Sequence, residues 1–145
     1  YPFQKSNSST LSSSLSDVAL IPVQRVPDER GLMTIVSNRM IPFQAERVFS
    51  ISSKNTIRGN HARKDCTQFI VCLSGLLDVL VDDGLTKQKY TLTSSSEGLI
   101  IPPGIWAYQE YGAVETMINV YCDQDYRESD YIRNYEDFVN YKNER

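Results

Sequence analysis

Short segments of strand length, recurring about every ten positions, dominate this chain of 145 residues. Val18–Val23, Leu32–Val36, Arg47–Ser53, Gln68–Gly75, Leu77–Gly84 and Lys87–Thr93 are such segments, and further runs begin at Leu99, Ile105 and Glu115. Some alternate apolar and polar side chains, as half-buried strands do; Gln68–Gly75 is apolar nearly throughout, as a strand covered on both faces is. Turn residues separate them: Pro27–Gly31, the Ser74–Gly75 pair and the Asp83–Gly84 hairpin signal. Only Asn134–Asn140 carries its apolar residues, Tyr135, Phe138 and Val139, at helical spacing. Many short strands and one terminal helix predict an all-β sandwich or barrel. Seven of the eleven residues from Ser6 to Ser16 are serine, so residues 1–17 read as a flexible tail and 18–145 as the domain. No internal repeat is visible.

The net charge of −3 gives no basic field for a phosphate backbone, which argues against nucleic acid as a partner. No apolar run reaches the length of a membrane span, and no apolar stretch near the start reads as a signal peptide. The three cysteines, Cys66, Cys72 and Cys122, are too few and too scattered for a disulfide framework and fit a reducing, cytoplasmic setting. Cys66 and Cys72 read as small core-filling side chains, and Asp82–Asp83 as a solvated hairpin. His61 is the one histidine of the chain, so a site needing two imidazoles cannot form within it.

Two segments carry the chemistry: Ile57–Gly75, IRGNHARKDCTQFIVCLSG, and Glu97–Glu110, EGLIIPPGIWAYQE. They resemble the two halves of a cupin site, which implies a jelly-roll antiparallel β-barrel. The scaffold residues Gly59, Gly75, Gly98, Pro102 and Gly104 are in place. Residues two apart on a strand face the same way, so 61 and 63 would both point into the barrel. His61 matches the first cupin histidine, while Arg63, Gln68 and Ala107 stand where the resemblance implies a second histidine, an acid and a third histidine. Arginine has no lone pair to donate and alanine has no donor, so the expectation is a pocket with neither metal nor other cofactor.

The stretch RGNHARKDCTQFIVCLSGLLDVLVDDG, the PPGIW turn, the upstream DERG and IPFQAERVF, and SDYIRNYEDF near the end together resemble the dTDP-4-keto-6-deoxyglucose 3,4-ketoisomerases, also found as WxcM-like domains. The resemblance spans about Val18 to Tyr141. It implies a homodimer formed partly by exchange of the strand around Val18–Val23, a dTDP-linked sugar as substrate, and a role in making deoxysugars for surface polysaccharide. Moving a carbonyl from C4 to C3 takes a proton from C3, passes through an enediol and returns a proton to C4, work suited to histidine.

On this reading His61 is the proton carrier. Tyr108, on the strand after the PPGIW turn, is a candidate phenol donor, and Glu110 on the same face a candidate base or substrate contact. Arg58 and Arg63 are candidates for the diphosphate, since a guanidinium fork fits phosphate oxygens. Gln68, Trp106 and Arg133 complete the substrate-binding set, with Trp106 as pocket wall or core. Arg63 beside His61 should lower the imidazole pKa, and restoring histidine at 63 should raise turnover. Two other readings compete: a relative with altered or lost chemistry that still binds a nucleotide sugar, and a different sugar isomerisation using Tyr108 or Glu110.

Overall fold

The computed structural model describes residues 13–144. In chain order the strands are β1 (Ala19–Ile21), β2 (Gln24–Asp28), β3 (Gly31–Ile35), β4 (Arg47–Ser53), β5 (Thr56–Arg63) and β6 (Gln68–Ser74). Then come β7 (Leu76–Asp82), β8 (Lys87–Thr93), β9 (Gly98–Ile101), β10 (Trp106–Tyr111), β11 (Thr116–Cys122) and β12 (Tyr131–Ile132), followed by the helix α1 (Tyr135–Asn143). Two five-stranded antiparallel sheets, β1-β9-β6-β11-β4 and β12-β5-β10-β7-β8, face each other as a jelly roll. A separate hairpin pairs β2 with β3.

Alternation decides what lies between the sheets. Leu77, Val79 and Val81 from β7 meet Ile70 and Cys72 from β6 and Ile118 and Val120 from β11 in one buried cluster. A second cluster, built on Phe69, Val71 and Ile100, lies on the other face of the first sheet, under Ile41 and Phe43. That explains why β6 is apolar at nearly every position: both of its faces are covered. The third cluster, Ala62, Trp106, Ile132 and Phe138, seats α1 on the outer face of the second sheet. Asn134 caps the helix, its side chain accepting from the Asp137 N–H at 3.0 Å.

Three expectations need correction. The flexible tail, insofar as it concerns residues 1–12, lies outside the described residues. Ser13–Asp17 are part of the fold: Leu15–Asp17 form a 3₁₀ turn, Leu15 packs on the core, and the buried Lys142 ammonium donates to the Ser13 carbonyl at 2.8 Å. The strand β1 pairs with β9, Ala19–Ile21 against Gly98–Ile101. The helix runs to Asn143, three residues beyond the expected end. Asp82 and Asp83 are buried rather than solvated. Asp83 accepts from the backbone N–H groups of Leu15, Leu85 and Thr86, and Asp82 from Gly84 N–H and the Tyr135 hydroxyl, so the carboxylates satisfy turn donors.

Candidate active site

A cavity of about 560 Å³ opens between the sheets. Its apolar floor comes from Ile51, Ile70, Val79 and Ile101, one from each of β4, β6, β7 and β9. His61 enters from β5, with Ala107 directly opposite on β10. A bulge sets this register: Ala107 pairs with His61 but Tyr108 with Gly59, leaving Asn60 as the extra residue. Both bulge residues have positive φ, +95° at Gly59 and +59° at Asn60.

His61 is half-buried, and its Nδ1 has no hydrogen-bond partner among the described residues. Tyr131 stands edge-on to the imidazole, with ring centroids 5.0 Å apart. The guanidinium of Arg63 lies 4.0 Å from the Tyr131 ring centroid and that of Arg133 4.3 Å from it. Burial first, then the like charges of Arg63 and Arg133, push the His61 pKa down from 6.5 to about 4. The ring is therefore neutral at pH 7 and able to accept a proton. The lowering expected from Arg63 is present, but as the second cause.

Three guanidiniums line the same space: Arg47, Arg58 and Arg133. Arg47 stacks over Phe49 at 4.7 Å, and its Nη1 is buried without a hydrogen-bond partner. Gln68, Gln109, Ser50 and Tyr131 add neutral polar groups. Among the described residues lining the cavity there is no carboxylate, thiol or second imidazole. A chain of net charge −3 thus sets three of its 15 Lys and Arg residues around one cavity free of lining carboxylates, the arrangement that attracts an anionic ligand. No group of three or more histidine, cysteine, aspartate or glutamate side chains suited to a metal occurs among the described residues.

The candidate residues divide between this cavity and elsewhere. His61, Arg58, Gln68 and Arg133 come together in it. Arg63 does not line it. Its side chain is 3% exposed, and Nε is ion-paired with the buried Asp130 carboxylate at 2.7 Å, which ties β12 to β5. Tyr108 and Trp106 face the other side of the sheet, in a cleft with Leu80, Lys87 and Tyr135. Glu110 is exposed at the far end of β10, beside Asn55 and Gly112. The reading of Tyr108 as a phenol donor next to His61 is thereby corrected, because alternation along β10 gives the cavity Ala107 and Gln109 and turns Tyr108 outward. Sequence reasoning missed Arg47, Gln109 and the cavity-lining position of Tyr131. For Arg47 a signal existed: it shares a strand face with Phe49 and Ile51, at spacing two.

Residues 16–143 match the WxcM-like, C-terminal family, FdtA. The chain belongs to this family. Over 125 residues the chain is 36% identical to the TDP-4-oxo-6-deoxy-α-D-glucose-3,4-oxoisomerase of Aneurinibacillus thermoaerophilus, covering 84% of this chain and 90% of the relative. The structure matches QdtA, a sugar 3,4-ketoisomerase from Thermoanaerobacterium thermosaccharolyticum in complex with TDP, at a TM-score of 0.82. Identity there is 29%, covering 90% of this chain and 98% of that one. The WlaRB TDP-quinovose 3,4-ketoisomerase from Campylobacter jejuni matches at a TM-score of 0.75 and 28% identity, over 85% and 97% of the two chains.

Proposed function

We propose that this FdtA-family chain is a sugar-nucleotide 3,4-ketoisomerase acting on a dTDP-linked 4-keto-6-deoxyhexose through an enediol, in deoxysugar synthesis for surface polysaccharide. The observation that carries the reading is a neutral histidine in a cavity otherwise lined by guanidiniums, amides, hydroxyls and apolar side chains. Arg47, Arg58 and Arg133 hold the diphosphate through charge-assisted hydrogen bonds. The apolar floor takes the base and the 6-methyl group. His61 removes the C3 proton, the surrounding positive charge stabilises the enediolate, the O3 hydroxyl proton passes to O4, and His61 returns its proton to C4. Gln68 and Gln109 orient the sugar hydroxyls. The chain acts in a reducing, cytoplasmic setting, to which three free, buried cysteines are suited, and it works as a homodimer.

A second reading has its own observation. The cavity lacks a second group that exchanges protons near neutral pH, so a relative that binds the nucleotide sugar without turning it over fits the same geometry. Incubation with dTDP-4-keto-6-deoxyglucose in deuterated water separates the two. The isomerase reading expects deuterium at C3 or C4 and a 3-keto product, both lost in His61→Asn. Measurable dTDP binding with no exchange supports the second reading. The third reading, through Tyr108 or Glu110, loses its basis because neither shares the cavity with His61.

A further inference from the structure

The three guanidiniums of the cavity are not equivalent. Among the described residues, Arg133 alone of the three has a carboxylate partner. Its Nε donates to Glu128 Oε1 at 2.6 Å and its Nη2 to Oε2 at 2.9 Å, a two-pronged fork. The Tyr126 hydroxyl donates to the same carboxylate and fixes it there. These bonds hold the Glu128 carboxyl down at about 2, so it is ionised throughout the working range. Glu128 opens the 3₁₀ turn Glu128–Asp130, which leads directly into β12, and its charge reaches His61. A carboxylate seated on both prongs of a guanidinium offers the two-oxygen geometry that a phosphate offers.

Building on the ketoisomerase reading, we propose that Glu128 is a specificity-determining residue: a built-in carboxylate that takes the diphosphate's place on Arg133 and that the substrate must displace. Glu128 sits five residues from Arg133 in the chain and so competes at the high effective concentration of a tethered group. A sugar bearing one carboxylate brings no more charge than Glu128 and gains little by displacing it. A diphosphate carries more charge and engages Arg47 and Arg58 as well. Both Glu128 and Arg133 are about half exposed, with side-chain values of 59% and 51%, and an exposed ion pair is weak, so the exchange is readily reversible. As product leaves, Glu128 retakes Arg133 and speeds its release.

The test is calorimetric titration of TDP, thymidine and inorganic pyrophosphate into the full chain, Glu128→Gln and Glu128→Ala, each repeated in an Arg133→Ala background. Circular dichroism checks that every variant is folded. Removing the carboxylate is expected to tighten TDP and pyrophosphate roughly three- to tenfold, the scale of a weak ion pair, and to slow TDP dissociation. Thymidine should bind unchanged, and the gain should vanish without Arg133. Unchanged or weaker TDP binding in folded Glu128 variants overturns the proposal while leaving the ketoisomerase reading intact. A gain that persists without Arg133 overturns it too, since Glu128 would then act only as a distant repelling charge. If pyrophosphate responds as expected but TDP binds to no variant, the nucleotide-sugar reading fails and the role of Glu128 on the anion site stands. If neither ligand binds any form, both fail.

Discussion

Position 63 shows how one side chain can match a motif and yet change its use. A histidine there would restore a paired arrangement with His61, and from the sequence that exchange looks like a gain of function. In the fold the guanidinium is buried against Asp130, itself 2% exposed, and stacked on Tyr131. Arg63→His removes the Nε–carboxylate ion pair and leaves a buried carboxylate without its counterion, which costs about 3–5 kcal/mol. The expected outcome is a large fall in melting temperature with no rise in turnover; Arg63→Lys, which keeps the charge, should lose less. Thermal unfolding followed by dichroism reads both. His61 gives the second expectation at this scale. Its pKa is about 4 in the fold against 6.5 when exposed, so between those values the unfolded chain binds more protons. Stability should therefore rise with pH from about 4 to 6.5, by an amount on the order of 2–3 kcal/mol, and level off above. His61→Gln should flatten that rise. A bound diphosphate favours the imidazolium and should shift the window upward. A urea-denaturation series across pH with no slope in that window would show that His61 is not held neutral.

The bulge in β5 turns a strand into a site. Without it, residues on β5 would meet β10 in unbroken alternation; with it, His61 is aimed into the barrel while Asn60 joins the outer cleft. Gly59 permits this twice over: its φ is +95°, and a Cβ there would lie 3.2 Å from both the Ala107 carbonyl oxygen and the Tyr108 Cα. Gly59→Ala should lower stability by about 1–3 kcal/mol and move His61, whereas Asn60→Gly, at φ +59°, should be tolerated. Chemical-shift mapping of the His61 ring with equilibrium unfolding distinguishes the two. The strands themselves were legible because period-two alternation and Gly or Pro turns are local signals, and so was the placing of His61 and Ala107 at one site through the two motif segments. The inward face of β10 was not legible. Trp106 and Tyr108 are its most conspicuous side chains, but they pack outward toward α1, and the small Ala107 and the amide of Gln109 face the cavity. Nor could spacing show that Asp130, far along the chain, would draw Arg63 away from the cavity.

At the scale of the molecule the barrel closes on its own core, but the β2–β3 hairpin stands apart from both sheets. Arg25 anchors it, donating to the carbonyls of Cys72, Thr93 and Ser96 at 2.8, 3.2 and 3.0 Å. The rest of the hairpin carries apolar side chains in solvent: Val26 is 41% exposed, Leu32 45% and Met33 59%, with Val26 and Met33 a cross-strand pair. A two-stranded hairpin holds poorly in water without something covering it, and clustered exposed apolar side chains mark contact surfaces. A second copy of the chain is the occupant expected here. This keeps the dimer inferred from the family resemblance and adds the hairpin to the contact expected around Val18–Val23. Sedimentation velocity at micromolar concentration should show a dimer for the parent chain and a monomer for Met33→Glu. Neither Val26 nor Met33 belongs to a buried cluster, so the variant should keep its melting transition to within about 0.5 kcal/mol per protomer apart from the lost association. None of the residues described as lining the cavity lies in the hairpin, so the monomeric variant should still bind TDP. A parent chain that sediments as a monomer would leave the hairpin a solvent-facing arm, and a monomeric variant that loses TDP would mean that a residue of the second copy completes the site.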